Sequence, residues 1–548
     1  MNQAAYWVEQ FDQAERARLA PYFTNLDGPV FALRNLSETV KGALFARYSR
    51  SGKTLRRLFL DEFADQVDQV DQADQAGGDP AGVTGAARAA ELYGRVFDEY
   101  GDDSVAQLGS AHVACEQASN LLTKALEWGR LAAYLEQSTR YVSYADRPGG
   151  RRRYHLDPQV DADPELGPEY RRVLDGLFDT YAELLPALQD HLAVVLPRRA
   201  GASDPAWRRA VKARALDGLR GLLPAATTSN LGIHASGQAF EALLLRLRAH
   251  PLPEARSYAE LLLHELRQVI PAFLTRVDRE DRGVAWSRYL AATWQETARV
   301  VAEVLGAPAA QEAPPSVTLT EADPAAEDKV LAAIVYPHLP VGEAEVARRV
   351  ARLGADARAR LLAAYVGERR NRRQRPGRAF ERAVYTFDVV ADYGAFRDLQ
   401  RHRLCTIQWQ PLTPALGYQV PADVEHAGLG DRFRAAMAAS AGLYRALAPR
   451  FPAQAPYAVA LAHRLRFAIT LNARELMHLT ELRSAPQGHP AYRQVAQRMH
   501  RLVAEQAGHR ALAAAMRFVV HDPDEPERAL GRLDAEERLE ARRAPARP

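Results

Sequence analysis

The sequence predicts a helix-rich α+β protein, and three features of the chain indicate this fold class. Apolar residues recur at helical spacing over long stretches, among them residues 165–197, 204–222 and 431–507. Two shorter segments, 383–389 and 405–410, are predicted to be extended. The length of 548 residues exceeds one ordinary domain, so we expect two domains of roughly 200 to 280 residues each.

Composition and charge weigh against several classes of protein. Hydrophobic residues make up 47% of the chain, which is typical of a globular protein. The 71 basic and 68 acidic residues leave a formal net charge of +3, which gives no global reason to expect a nucleic-acid or membrane partner. An arginine-rich nucleic-acid-binding protein stays the weakest alternative, because no RNA- or DNA-binding motif is present.

The two cysteines and the first residues of the chain indicate in which cellular compartment the protein is expected. Cys115 and Cys405 make neither a disulfide framework nor a metal site, and we predict no bound metal. The first residues lack the charged start and apolar core of a signal peptide, and no run of about 18 apolar residues suggests a membrane span. We therefore expect a cytoplasmic protein with no membrane partner.

Taken in order, the chain begins with a stretch, residues 8–64, that is predicted to be helical. Helical sequence resumes further on and continues to about residue 305, where an Ala- and Pro-rich segment is the best candidate for a linker. The end of the chain is dense in charge and is predicted to be a peripheral tail. The predicted divisions are residues 1–306, a linker at 307–316, residues 317–520, and the tail at 521–548.

One triplet, Arg401-His402-Arg403, precedes the extended segment at 405–410. Guanidinium groups are always charged and present forked donors that suit phosphates and other planar acceptors. A histidine between two such cations is pushed toward its neutral form. The triplet therefore suits an anionic ligand that contains a ring, although three such residues alone are more often an exposed basic patch in an arginine-rich chain.

A second motif lies about 70 residues downstream, where residues 472–483 have the pattern of a helix. Arg474, His478 and Glu481 make a polar stripe at helical spacing, and Arg483 lies at the edge of the apolar stripe. The alternative interpretation is a surface helix with one solvated face.

Together the two motifs resemble those of the flavin-dependent thymidylate synthases. That family has an Arg-His-Arg signature leading into a strand, followed by a helix of the form Asn-x-Arg-x-Leu that ends in Leu-x-Arg. The order and spacing of both motifs agree, as does the extended segment before the signature. The resemblance implies an antiparallel sheet flanked by long helices.

The first half of the chain resembles the same family more weakly. Residues 136–141, Glu-Gln-Ser-Thr-Arg-Tyr, match the family's Ser-x-Arg-Tyr segment, and Ser104 matches a hydroxyl position upstream. Only Arg130 survives from the triplet. Residues 237–248 align with residues 472–483, which places Arg248 opposite Arg483. The chain is thus interpreted as two diverged copies of one fold.

The two copies have lost complementary parts of the family pattern. In the second, Ser-x-Arg-Tyr is replaced by residues 410–418, whose two prolines would break strand pairing. The resemblance therefore implies one composite site, and two such chains would form a homodimer that mimics the family's homotetramer. The implied flavin contacts are Arg401, His402, Arg403, Asn472, Arg474 and His478 in the second half and Ser104 and Glu136 in the first. The implied nucleotide contacts are Ser138, Arg140, Arg248 and Arg483.

The resemblance also implies a reaction, the reductive methylation of dUMP to dTMP. FAD would be the cofactor, and NADPH and methylenetetrahydrofolate would be co-substrates. Arg401, His402, Arg403 and Arg483 are the residues expected to carry catalysis. Because both copies have lost part of the pattern, a non-catalytic or repurposed flavin- or nucleotide-binding protein is the alternative.

Overall fold

A computed structural model describes residues 6–36, 44, 48, 51–62, 64, 110–198, 200, 203–306, 317–521, 531 and 533–538. The strands are β1 (Val30–Ala32), β2 (Ser110–Ser119), β3 (Ala132–Glu136), β4 (Thr228–Ser236), β5 (Val317–Ala322), β6 (Val384–Asp392), β7 (Cys405–Trp409) and β8 (Arg464–Asn472). The predicted linker at 307–316, Ser104 and most of the predicted tail lie outside the described residues.

Helices outnumber strands in the described part of the chain, which confirms the helix-rich α+β class. The helices before β5 are α1 (Gln13–Leu19), α2 (Leu55–Glu62), α3 (Asn120–Leu126), α4 (Pro158–Asp161), α5 (Leu166–Val195), α6 (Asp204–Leu219), α7 (Gly237–Ala249), α8 (Pro253–Leu266) and α9 (Ala285–Leu305). Those after β5 are α10 (Ala326–Val335), α11 (Glu343–Ala351), α12 (Ala355–Val366), α13 (Tyr393–Leu399), α14 (Ala422–His426), α15 (Gly430–Leu447), α16 (Ala473–Arg483), α17 (Pro490–Glu505) and α18 (Arg510–Ala515).

The strands form two four-stranded sheets with the same topology. The first has the order β1-β2-β4-β3 and the second the order β5-β6-β8-β7. Every neighbouring pair is antiparallel. The repeated order is the arrangement that two copies of one fold would give. The expectation of helix throughout residues 8–64 is wrong at β1, which is the edge strand of the first sheet.

The chain divides into two compact units. Unit 1 comprises residues 1–183, 222–310 and 435–460, and unit 2 comprises residues 184–221, 311–434 and 461–548. Each unit contains one of the two sheets. Among the described residues, no helix combines the length and the apolar character that crossing a membrane requires.

Each unit has its own buried core. In unit 1, Phe23, Phe31 and Phe59 are almost fully buried and pack edge to face. In unit 2, burial alternates along β8, which gives the sheet one face toward the core. Phe467 on that face packs against Phe396 of α13, with the ring centroids 5.1 Å apart. This contact fixes α13, and therefore the Arg-His-Arg triplet that follows it, against the sheet.

Candidate functional site

The Arg-His-Arg triplet and helix α16 meet at one end of the second sheet. β7 runs antiparallel to β8, with Cys405 opposite Leu471. The residues just before β7 therefore lie beside those just after β8. Asn472 caps α16, because its side-chain oxygen accepts a hydrogen bond from the backbone N–H of Glu475 at 2.9 Å. The cap directs the first turn of α16 toward His402.

His402 is buried, and both of its ring nitrogens are engaged. Nδ1 lies 2.8 Å from Oε1 of Glu475, and Nε2 lies 3.1 Å from Nε of Arg483. A guanidinium nitrogen can only donate, so Nε2 must be the acceptor and Nδ1 must carry the proton. Arg483 thereby fixes the tautomer of His402, and His402 donates to the Glu475 carboxylate.

Arg483 is held in turn by Asp398, near the end of α13. Nη1 of Arg483 donates to Oδ1 of Asp398 at 3.2 Å, and Nη2 donates to the Asp398 backbone carbonyl. The other carboxylate oxygen of Asp398 accepts a hydrogen bond from Arg220 at 3.4 Å. The result is a continuous polar chain within unit 2 that runs from Arg220 through Asp398, Arg483 and His402 to Glu475.

The electrostatics keep both histidines of this cluster neutral near pH 7. Burial, followed by the charge of Arg483, holds the pKa of His402 well below its usual value. Burial, followed by the neighbouring His402, lowers the pKa of His478 to about 4. Burial also raises the pKa of Glu475 above its usual value. The ring centroids of His402 and His478 lie 5.2 Å apart.

Arginines surround this cluster and favour an anionic ligand. The charges of Arg375, Arg403 and Arg474 partly offset the rise that burial causes in the pKa of Glu475. Those of Arg372 and Arg375 contribute to the lowered pKa of His478. His402, Glu475 and His478 present ligand atoms within 4.8 Å of one another, as a metal site would. The surrounding guanidinium groups make this position unfavourable for a cation. The same charges favour an anionic ligand.

A cavity of about 200 Å³ lies at the other end of the polar chain, in unit 2. Arg220, Asp392, Arg464 and His489 line it. Arg220 is 3% exposed, and its Nη2 has no hydrogen-bond partner within the described structure. A Cβ at position 394 would lie 3.2 Å from two nitrogens of Arg220, so Gly394 lets the guanidinium lie close against the backbone. The cavity thus contains a buried cation with spare donor capacity.

Comparison with known sequences identifies the family. The sequence profile of the thymidylate synthase complementing protein family matches residues 46–272 and 321–508, one segment in each half of the chain. The chain belongs to this family. The two matched segments also confirm that it is a tandem duplication, as the sequence indicated.

Close relatives span nearly the whole chain. A UPF0159 protein of Chlamydia muridarum is 37% identical over 97% of this chain and 99% of its own length. A UPF0159 protein of Thermoplasma acidophilum is 31% identical over 91% of this chain and 98% of its own length. Among solved structures, a UMP/dUMP methylase from Streptomyces cacaoi bound with 5-Br dUMP is 19% identical, over 37% of this chain and 97% of its own, with a TM-score of 0.29.

In the second repeat of this family member, the structure brings most of the sequence-predicted residues together. His402, His478 and Arg483 belong to one cluster, and Asn472 starts the helix that carries two of them. Arg474 lies on the same helix and donates to the backbone carbonyl of Pro376 at 2.8 Å. The side chains of Arg401 and Arg403 are exposed beside the buried His402.

In the first repeat, the predicted residues occupy separate local environments. Ser138 is half-buried, and its oxygen accepts a hydrogen bond from the backbone N–H of Arg140, which is buried. Glu136 is buried in an ion cluster with Lys124, 3.3 Å away. Arg248 pairs with Glu260 and Asp278. Ser138 and Arg140 belong to unit 1 and the His402 cluster to unit 2, so the composite site stays a prediction.

The alignment of the two repeat helices needs a correction of one residue. The side chain of Ser236 caps α7 just as that of Asn472 caps α16. The sheet pairing agrees, because Ser110 of β2 lies opposite Ser236 and Val384 of β6 lies opposite Asn472. Ser236, and not Gly237, is therefore the counterpart of Asn472. By the same count, Arg248 corresponds to Ser484 and not to Arg483.

With this alignment, the first repeat has a cavity where the second has its polar cluster. Gly129, Ala239 and Ala242 stand in place of His402, Glu475 and His478. All three line a cavity of about 410 Å³ in unit 1. The guanidinium of Arg246, another lining residue, lies 4.9 Å from the centre of the Trp128 ring. The two repeats therefore share a fold but differ in the chemistry of this position.

Three residues of the site were missed by reasoning from the sequence. Glu475 has the position of an ordinary acidic residue in the first turn of a helix, Asp398 lies near the end of a short helix, and Arg220 follows a long one. A clue was available for Arg220, because an arginine among apolar and small residues, Leu-Arg-Gly-Leu-Leu, is rarely buried without a reason.

Proposed function

We propose that the chain is an FAD-dependent thymidylate synthase-like enzyme that methylates dUMP reductively to dTMP, with methylenetetrahydrofolate and NADPH as co-substrates. It would do so on two copies of the flavin-dependent thymidylate synthase fold. The observation that supports this most is the polar chain from Glu475 through His402 to Arg483, found at the Arg-His-Arg signature of a protein that belongs to the thymidylate synthase complementing family.

The residues that would hold FAD lie at the triplet and on α16. Exposed Arg401 and Arg403 would contact its diphosphate, with further contacts from Asn472, Arg474 and half-buried His478. Once bound and reduced, the flavin supplies the hydride. Because His402 is buried and uses both ring nitrogens within the protein, it would act as a positioning residue that holds Arg483.

Arg483 is the residue we assign to polarising the substrate. It is fixed by His402 and Asp398, so its guanidinium is oriented before any ligand binds. A preorganised cation beside a pyrimidine carbonyl would stabilise the negative charge that develops there during reaction. The neutral state of His402 leaves the positive charge of this pair on Arg483 alone.

The nucleotide would be held by both repeats. Ser138 and Arg140 of unit 1 supply a hydroxyl and a forked cation. In unit 2, the 200 Å³ cavity lined by Arg220 and Arg464 is smaller than most complete ligand pockets, so it would accept one anionic group of the nucleotide. Asp398 links that cavity to Arg483, which would place substrate and cofactor contacts on one rigid network.

The visible absorption spectrum of the purified protein, with and without dUMP, is the first test. A flavin band that shifts when dUMP is added supports one site for both ligands. A flavin band without a response to dUMP favours a repurposed flavoprotein instead. If the protein takes up no flavin after incubation with FAD, the proposal fails.

Turnover is the second test. The protein with FAD, NADPH, methylenetetrahydrofolate and dUMP should form dTMP, and omission of any one component should abolish it. Arg401→Ala should reduce dTMP formation at least 10-fold by weakening flavin binding, an order-of-magnitude estimate for one lost charged contact. Arg348→Ala, which changes an exposed arginine of α11 that pairs with Glu345, serves as the matched control.

A further inference from the structure

Helix α9, which follows the first segment matched by the family profile, presents an unusual apolar surface. From residue 292 to residue 305 every side chain is exposed. The large apolar side chains among those of α9 are Trp286 (58% exposed), Tyr289 (64%), Trp294 (62%), Val300 (38%), Val301 (50%), Val304 (70%) and Leu305 (77%). Water-exposed aromatic and aliphatic side chains concentrated on one helix are typical of an interaction surface.

Three of these side chains, those of Trp286, Val300 and Val304, lie on a series of positions with the spacing of a coiled-coil seam. Positions 286, 290, 293, 297, 300 and 304 are separated by alternating steps of four and three residues. The two threonines in the middle of this series do not interrupt it. Their hydroxyl groups donate to backbone carbonyls of α9 itself, Thr293 to Tyr289 at 2.9 Å and Thr297 to Thr293 at 2.7 Å, which satisfies the polar atom within the helix.

The seam is self-complementary when a second α9 runs in the opposite direction. The six seam positions are symmetric about residue 295, so Trp286 meets Val304, Leu290 meets Val300, and Thr293 meets Thr297 of the other copy. Charge follows the same symmetry. Residues 285–294 carry one arginine, a net charge of +1, and residues 296–305 carry two glutamates and one arginine, a net charge of −1. Antiparallel pairing therefore places the positive half of one α9 beside the negative half of the other.

The exposed apolar area of α9 reaches the minimum that a specific pair of helices needs. A helix of 21 residues is about 32 Å long, and each large aromatic side chain can bury about 150–250 Å². The three aromatic residues of α9, about 60% exposed, and the aliphatic residues of two helices would together bury on the order of 1,000 Å², which is about the minimum for a specific interface.

We propose that α9 is a homodimerisation helix that packs antiparallel against α9 of a second copy of this chain. The two-fold axis passes near residue 295, and the seam from Trp286 to Val304 forms the buried core of the contact. This is an isologous interface, because the same surface is used by both copies. It does not depend on any bound ligand or on the proposed reaction.

The mass of the full-length chain in solution, measured by sedimentation or light scattering, tests the proposal. We expect twice the 60.6 kDa of one chain, and 60.6 kDa for the double variant Val300→Asp/Val304→Asp, because each charge would be buried in the seam. Gln295→Asp/Ala302→Asp adds the same charges on the opposite face and should leave the dimer intact. Circular dichroism confirms that both variants fold. A native chain of single-chain mass, or a seam variant that keeps the native mass, overturns the proposal.

Cysteine cross-linking tests the direction of packing. The chain's own two cysteines are buried, so an introduced cysteine on α9 is readily distinguished. An equimolar mixture of Leu290→Cys and Val300→Cys chains, dissociated and reassociated, should form the mixed disulfide dimer under mild oxidation. Efficient cross-linking of each variant with itself and not with the other would indicate parallel packing and would contradict the antiparallel interface.

Discussion

At the scale of single residues, the proton on His402 is placed by Arg483 and not by the solvent. This makes the shape of the Arg483 side chain as important as its charge. In Arg483→Lys the single ammonium group cannot reach His402 and both acceptors of Asp398 together. We expect dTMP formation to fall roughly 100-fold, the loss that misplacement by about 1 Å can cause.

The control for this prediction is Arg348→Lys, which alters an exposed arginine of the same unit. It should leave the rate unchanged. Comparison of kcat and KM for dUMP separates two origins of the loss. A role in orientation predicts that kcat falls, whereas an unchanged kcat with a higher KM would show that Arg483 only binds the substrate.

The depressed pKa of His478 predicts a pH-dependent stability. An unfolded histidine has a pKa near 6.5, whereas that of folded His478 is about 4. Between these values the unfolded chain binds more protons, so the contribution of His478 to stability is complete above pH 6.5 and is lost as the pH falls toward 4. Solvent exposure reduces the size of the effect to on the order of 1 kcal/mol.

Urea unfolding at pH 7.5 and pH 5.0 measures this contribution. The free energy of unfolding should fall more on acidification in the native chain than in His478→Gln, which cannot titrate. Equal decreases in the two proteins would mean that His478 titrates normally in the folded state. Because other groups titrate in both proteins alike, only the difference between them is informative.

At the scale of elements, the long or strongly patterned segments were predictable from sequence. The extended segments 383–389 and 405–410 are β6 and β7, and the helix predicted at 472–483 is α16. The prolines after residue 410 end β7 as expected. Helical and strand periodicity are local properties, so a single sequence contains them.

The edge strand β1 and the site network were not predictable, because neither depends on local pattern. β1 has three residues, too few for an alternation to be visible. Glu475 and His402 are 73 residues apart, and Asp398 and Arg483 are 85 apart. Only the pairing of β7 with β8 brings each pair together. The equivalence of Ser236 and Asn472 was likewise not predictable, because a match of motif residues does not show which residue caps each helix.

The N-cap of α16 offers a test that separates structure from ligand binding. Asn472→Ser keeps an oxygen that can accept from the Glu475 N–H, whereas Asn472→Ala removes it. We expect the alanine variant to lose about 1 kcal/mol of stability and the serine variant very little. If Asn472 also contacts FAD, the serine variant should be stable but bind FAD more weakly. Equal stability of the alanine variant and the native chain would rule out the cap.

At the scale of the whole molecule, the duplication has kept topology and changed chemistry. Both sheets have the same strand order, and both repeat helices begin with a side-chain cap. The second repeat contains the His402 cluster, whereas small residues leave a cavity in the first. A repeat that no longer contacts a ligand can change its site residues as long as its packing is preserved. The identical strand order of the two sheets agrees with this.

This asymmetry predicts the flavin content. Because only the second repeat has the arginine triplet and the His402 cluster, the saturated protein should hold one FAD per chain and not two. Denaturation of the loaded protein, followed by quantification of the released flavin against protein concentration, gives the ratio. A ratio of two would show that the unit 1 cavity also accepts FAD despite lacking these residues.

A composite site predicts a specific outcome when two inactive variants are mixed. Arg140→Ala impairs the first-repeat contribution and Arg401→Ala the second, so each variant alone should be nearly inactive. If a site combines the repeats of two different chains, an equal mixture that exchanges subunits forms mixed dimers with one intact site. About a quarter of the native activity should then return. If each site combines the repeats of one chain, every chain keeps a defect and no activity returns. Substantial activity in either variant alone would show that the two repeats do not share a site.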